Sequence, residues 1–262
     1  MGRVGAYVYQ QAVSEGHDAL GVDLSARNHD QAFIAADLTD FGAAVDAFHG
    51  ADAIIHLAAI PDSRIVSTTK TFSSNMTSLW NVYEAARVLG IKRVVFASTI
   101  QTVATVRWQN RTPYQYFPLD EAHPVDPQTD YALSKALGER VGDMFAKQFG
   151  ITAVSLRFMG VTMPEELGTL LSPPPADSGI IQTSALFAYC DVRDTARACV
   201  LAAAAPLPAS THTTLFVTAR DTWVDMPSAD LVAQHFPNVK NRGLQGYDSL
   251  ISGETALHVL GF

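Results

Sequence analysis

Five short, mostly apolar runs separated by stretches long enough to hold a turn or a helix constrain this chain more than any other feature. They are Asp18–Asp23, Phe33–Leu38, Asp52–Leu57, Arg93–Ala97 and Ile151–Arg157. Apart from their polar ends they show little alternation of apolar with polar residues, the pattern of strands buried on both faces of a parallel sheet. The intervening sequence supplies helices at roughly 40–48, over Asn75–Leu89 and around Asp130–Lys135. Strand and helix alternating at this spacing predict an α/β fold, a doubly wound parallel sheet of Rossmann-like type. Past Arg157 the pattern loosens. It continues with a helix at roughly 191–204, a strand over Thr214–Thr218 and short helices near 228–236 and 253–260. Leu171-Ser-Pro-Pro-Pro175 reads as an extended loop.

Open sheets of this kind bind ligands outside the carboxyl ends of their strands, so the residues there are the ones to read. Gly2 and Gly5 open a helix that runs to Ser14. Glycines there let backbone amides approach a pyrophosphate at the helix N-terminus, where the dipole favours anions; they fit close helix packing equally well. Asp23 ends the next strand about 20 residues on, where an acid accepts from ribose hydroxyls. Asp37 and Leu38 follow the second strand, on the adenine side. Leu57, Ala58 and Ala59 follow the third, small enough for a flat ligand to lie close. His56, inside that strand, reads as structural. Ser98 and Thr99 present hydroxyls at the end of the fourth.

Tyr131 and Lys135 stand four residues apart, on one face of a helix. A phenol, with a reference pKa of about 10, is a poor acid or base at neutral pH. An ammonium one turn away favours its phenolate and predicts a lowered pKa. Such a pair can take a proton from a hydroxyl while hydride leaves the same carbon. A Tyr-x-x-x-Lys alone is weak; its surroundings give it weight.

Bulk properties remove several function classes. The 262 residues suit one α/β domain with a small appendage, and 48% hydrophobic against 17% charged residues describe an ordered globular chain. A net charge of −8 argues against nucleic acid or an anionic membrane as partner. No apolar run reaches membrane-spanning length. Cys190 and Cys199 make neither a disulfide framework nor a zinc spacing, so a reducing, cytoplasmic setting is the expectation. The histidines are scattered without ligand spacing, and no metal site is expected.

Taken together, the order of these stretches resembles the extended short-chain dehydrogenase/reductases, the NAD-dependent epimerase/dehydratase family, over nearly the whole chain. The resemblance is carried by Gly2-x-x-Gly5, Asp23, Asp37-Leu38, His56-Leu-Ala-Ala59 and Asn75 ahead of Asn81-Val-Tyr-Glu-Ala-Ala86. It continues through Val94-Val-Phe-Ala-Ser-Thr99, Tyr131-x-x-x-Lys135, Leu156-Arg157-Phe158 and Cys190-Asp-Val-Arg-Asp194-x-Ala196. It implies that Tyr131 transfers the proton and that Lys135 holds the nicotinamide ribose and lowers the tyrosine pKa. It implies that Thr99, with Ser98 as runner-up, orients the reacting oxygen, and that Asn75 supports the site through a backbone or water contact. The implied cofactor is NAD, with NADP as the alternative: Asp23 would repel a 2′-phosphate, and Arg27 would soften that preference. Residues 1–158 would form the dinucleotide-binding domain. Residues 159–262 would form a small substrate-binding region interleaved with the last strands of the sheet. A homodimer through the tyrosine helix and the one before it is also implied.

Two departures matter. Gly2 and Gly5 match the second and third glycines of the family's opening motif, while its first strand, threonine and first glycine have no counterpart. That strand is central, and its absence predicts a gap of about 9–10 Å between the Asp23 and His56 strands. Three accounts compete: a sequence that starts late, direct pairing of the flanking strands, or a degraded, non-catalytic dinucleotide-binding or interaction protein. The region beyond Ile151 is also short for a large nucleotide-sugar. The expectation is therefore an NAD(P)-dependent oxidoreductase or epimerase acting on a secondary alcohol of a sugar-like molecule, resembling the uronate dehydrogenases of the family.

Overall fold

A computed structural model describes residues 2–25, 32–61, 65–103, 113–170 and 186–262. Arg27 and residues 171–175 lie outside the described residues.

The central sheet holds β3 (Ala53–His56), β4 (Arg93–Thr99), β6 (Thr152–Phe158) and β9 (His212–Val217) in that order, all parallel. Successive residues of β4 serve opposite layers, as pleating requires. Val94 and Phe96 face α2 (Phe41–Phe48), α3 (Thr68–Leu89) and α4 (Asp130–Phe149), among Ala44, Leu79, Val82, Tyr83 and Phe145. Val95 faces the other layer, with Val154 and Leu156, where α1 (Arg3–Ser14) and α6 (Val192–Ala204) bring Val8, Ala198 and Cys199. Fully enclosed side chains such as Leu79 and Phe145 each contribute roughly 1.5–3 kcal/mol. The sheet is doubly wound, as expected.

A separate parallel pair, β1 (Gly21–Asp23) with β2 (Phe33–Ala35), stands apart from the central sheet. β1 and β3, the strands on either side of the expected gap, do not pair with one another. Direct pairing of the flanking strands is thus not how this chain arranges its sheet. Two further two-stranded pairs sit at the periphery: β5 (Tyr116–Phe117) with β10 (Lys240–Asn241), and β7 (Val161–Thr162) with β8 (Cys190–Asp191). The remaining helices are α5 (Pro164–Leu170), α7 (Ser228–His235) and α8 (Glu254–Leu260). Among the described residues, no helix is long and apolar enough to cross a membrane, and no cluster of side chains could hold a metal ion.

Two local features fix the helices that carry the site. Thr129 caps α4 by accepting from the Ala132 amide at 3.0 Å, and the helix ends at Gly150 with φ +69°. Such a left-handed terminus suits glycine. Within α4, Gly138 sits so close to β4 that a Cβ would lie 2.6 Å from the Phe96 ring and 2.7 Å from Leu79. The missing side chain is what lets α4 approach the sheet.

Candidate active site

The last three residues of β4 are each tied to α4. The Ala97 carbonyl accepts from Lys135 Nζ at 2.6 Å. The Ser98 hydroxyl donates to Glu139 Oε1 at 2.6 Å. The Thr99 hydroxyl lies against the Tyr131 phenol and favours its ionised form. Tyr131, Lys135 and Glu139 follow at intervals of four, which puts them on one helix face. Thr99 is extended, with φ −153°, and its oxygen also accepts from the Gln101 amide at 3.3 Å.

The electrostatics reverse one expectation. Burial pushes the Tyr131 phenol up to about 12, and the Thr99 hydroxyl only partly offsets it. Burial also pulls Lys135 down to about 7. Its Nζ stands 5.6 Å from the Tyr131 ring centroid and 4.7 Å from that of Phe96. Lys135 is buried and Tyr131 half-buried, and desolvation penalises whichever form is charged. An ammonium that titrates near neutrality lends the phenol only part of a charge. His56 is buried, stacked on Phe96 at 6.1 Å, and held at about 3 by burial first and Lys135 second. It is neutral at pH 7, as a structural histidine should be.

Asn75 works on backbone. Its side-chain oxygen accepts from the Ile60 amide at 2.8 Å, and its Nδ2 donates to the Ile60 carbonyl at 3.0 Å and to Ser134 Oγ at 3.4 Å. Ser134 Oγ donates in turn to the Tyr131 carbonyl at 2.7 Å. Asn75 therefore fastens the segment that follows Leu57, Ala58 and Ala59 to the first turn of α4. Asp23 ends β1, with its Oδ1 accepting from the Leu24 amide at 2.7 Å. Asp37 is exposed; Thr39 donates to it through both amide and hydroxyl, which holds its carboxyl below the usual range. Leu38 is buried, and its carbonyl accepts from Asn81 Nδ2 at 3.0 Å. Gly2 is the N-cap of α1 and supplies no side-chain bond, and Gly5 lies in the first turn.

Thr99, Tyr131 and Lys135 therefore come together, with Asn75 behind them. Ser98 does not share their position, because its hydroxyl is spent on Glu139. Sequence reading passed over Glu139, although the four-residue spacing from Tyr131 through Lys135 continues to it. Arg157, noted only as part of a motif, bonds the same carboxylate bidentately: Nε to Oε1 and Nη2 to Oε2, both at 2.8 Å. An arginine inside an otherwise enclosed strand was the available signal.

Comparison with known proteins bears on the family and the fold. The model of the NAD dependent epimerase/dehydratase family matches residues 1–213. A uronate dehydrogenase of Pseudomonas putida is 35% identical over 136 residues, covering 50% of this chain and 46% of that protein. An L-arabinose 1-dehydrogenase (NAD(P)(+)) of Haloferax volcanii is 29% identical over 171 residues, covering 63% and 66% respectively. The chain spans about half the length of the uronate dehydrogenases it matches. Among solved structures, a short-chain dehydrogenase/reductase superfamily protein from Agrobacterium tumefaciens with bound NAD superposes with a TM-score of 0.72. It is 23% identical, and the match covers 100% of this chain and 89% of that one.

Proposed function

The chain belongs to the NAD-dependent epimerase/dehydratase family, and from that premise we propose that it is an NAD(P)-dependent oxidoreductase acting on a secondary alcohol of a small sugar or sugar acid. The observation that carries the reading is the meeting of Thr99, Tyr131 and Lys135 at the carboxyl end of β4. Tyr131 exchanges the proton of the reacting hydroxyl, and Thr99 holds the same oxygen in place. The names of the uronate and arabinose dehydrogenases support a small sugar-like substrate.

The residues fit a dinucleotide. α1 begins at a glycine with no side-chain cap, which leaves its amides available to an anion. Asp23 stands at the carboxyl end of β1, placed for ribose hydroxyls, and favours NAD over NADP. Lys135 uses one of its three N–H donors on Ala97 among the described residues, which leaves it able to hold a second ribose. Bound NAD would supply the hydride acceptor; the protein supplies binding, orientation and proton transfer. On this reading residues 1–158 bind the dinucleotide, and 159–262 shape the substrate side. The two buried free cysteines accord with a cytoplasmic working place.

Accumulation of reduced nicotinamide from sugar acids or aldoses tests the reading. It also separates net oxidation from epimerisation, which returns the cofactor oxidised, and from a binding protein of the same fold.

The working unit is a homodimer through the outer faces of α3 and α4. Those faces expose Trp80, Leu133 and Leu137 (46%, 39% and 38%) beside Phe149. Apolar groups grouped in this way on adjacent helices mark an association surface, and a second copy offers a matching one. Leu137→Glu is expected to shift the sedimenting species from dimer to monomer while leaving the circular dichroism unchanged. A wild-type protein that sediments as a monomer at high concentration contradicts the dimer.

A further inference from the structure

Between the α3/α4 layer and the sheet lies a buried polar cluster to which the proposed chemistry gives no role. Glu139 and Arg157 form a bidentate pair with side-chain exposures of 8% and 4%, and Ser98 adds a third bond to the same carboxylate. Ser98, Arg157 and Phe216 are register partners across β4, β6 and β9. The guanidinium stacks over Phe216 at 5.3 Å, and its Nη1 has no partner among the described residues. Glu139 of α4 is therefore held by two adjacent strands at once.

We propose that Glu139, with Arg157 and Ser98, is a positioning cluster that sets where Tyr131 and Lys135 stand relative to Thr99. The inference rests on the oxidoreductase reading of that site. Three observations carry it. First, Glu139 lies on the Tyr131–Lys135 face, one turn or about 6 Å along the axis from Lys135. Second, Ser98 is the residue immediately before Thr99, so its bond to Glu139 fixes the strand end that presents the Thr99 hydroxyl. Third, Gly138 brings α4 into contact with Phe96, so apolar packing sets the distance between helix and sheet but does not stop the helix sliding along its axis. A bidentate pair with its two hydrogen bonds fixed in a plane does. Stability alone is a poor reason to keep such a pair, since apolar residues of similar volume in its place are often as stable or more so.

That last point supplies the test. Glu139→Gln/Arg157→Met removes both charges, leaves no uncompensated ion and keeps most of the volume. The expected result is a thermal midpoint near that of wild type and kcat lower by about tenfold to a hundredfold, the scale of a misplacement of about 1 Å. NAD affinity should weaken by a much smaller factor, because Lys135 is only one of the groups that hold the dinucleotide. Ser98→Ala, which removes only one hydroxyl, should show the same split in milder form. Wild-type kcat in the double variant, or in Ser98→Ala if the double variant does not fold, overturns the proposal. Should the wild-type protein turn over no sugar at all, the oxidoreductase reading fails first. The cluster is then read from the side-chain resonance of isotope-labelled Lys135. Its titration, near pH 7 in wild type, should move upward when the cluster is cut and α4 shifts; an unmoved titration overturns the positioning role.

Discussion

Tyr131→Phe is expected to lower kcat by about 10²- to 10⁴-fold, the usual contribution of a positioned acid/base group. Cofactor affinity should stay within about twofold, because the change removes an interaction made in the transition state rather than one made to the bound cofactor. The ring stays, so packing is kept, and the lost contact with Thr99 should cost at most about 1 kcal/mol of stability. Thr99 still has the Gln101 amide as a partner. Steady-state kinetics beside calorimetric NAD titration reads both halves. A variant with wild-type turnover contradicts the assignment of Tyr131. So does one that has lost NAD binding, since that would make the phenol a binding group.

Lys135→Met should separate function from stability in opposite directions. Turnover should fall at least about a hundredfold, with weaker NAD binding, because the ammonium meant for the ribose is gone. The fold should become more stable near neutral pH. Lys135 holds its proton to about 10.5 when exposed and to about 7 when folded, because burial penalises the ammonium. Between those values the unfolded chain binds more protons, so wild-type stability rises with pH across that window. The cost of the buried charge is fully present below about pH 7 and relieved above about 10.5; at roughly 1.4 kcal/mol per unit it amounts to a few kcal/mol. The methionine variant lacks that cost. Its advantage in unfolding free energy should therefore be largest at pH 6–7 and should shrink as pH rises towards 10.5. A variant less stable than wild type at pH 6.5 would mean that the bond to Ala97 and the contact with Phe96 outweigh desolvation.

Much of the fold was legible because buried parallel strands and amphipathic helices leave different local patterns. β4 and β6 begin within one residue of their expected starts. The long α3 was read from Asn75, yet it starts at Thr68. Its first turns are polar and carry no apolar period; the Ser67 cap and the burial of Thr71 make the helix there. The β5–β10 and β7–β8 pairs left no signal, being two residues long and joined across wide stretches of chain. At the site, Tyr131 and Lys135 were legible from spacing alone. The direction of the tyrosine pKa was not, since it depends on how much water reaches both groups. Ser98 and Thr99 look equivalent as neighbouring hydroxyls, and only the Glu139 carboxylate, 41 residues away, tells them apart.

The measurement that bears most directly on the account is hydride transfer itself. The purified 262-residue chain would be mixed with NAD, and separately with NADP, and presented with a panel of sugar acids and aldoses. Reduced nicotinamide would be followed by its absorbance, with Tyr131→Phe in parallel. The account predicts that reduced cofactor accumulates with at least one member of the panel, faster with NAD than with NADP, and that the variant all but abolishes it. Binding of NAD without reduction by any member, or equal rates in the two proteins, would contradict it.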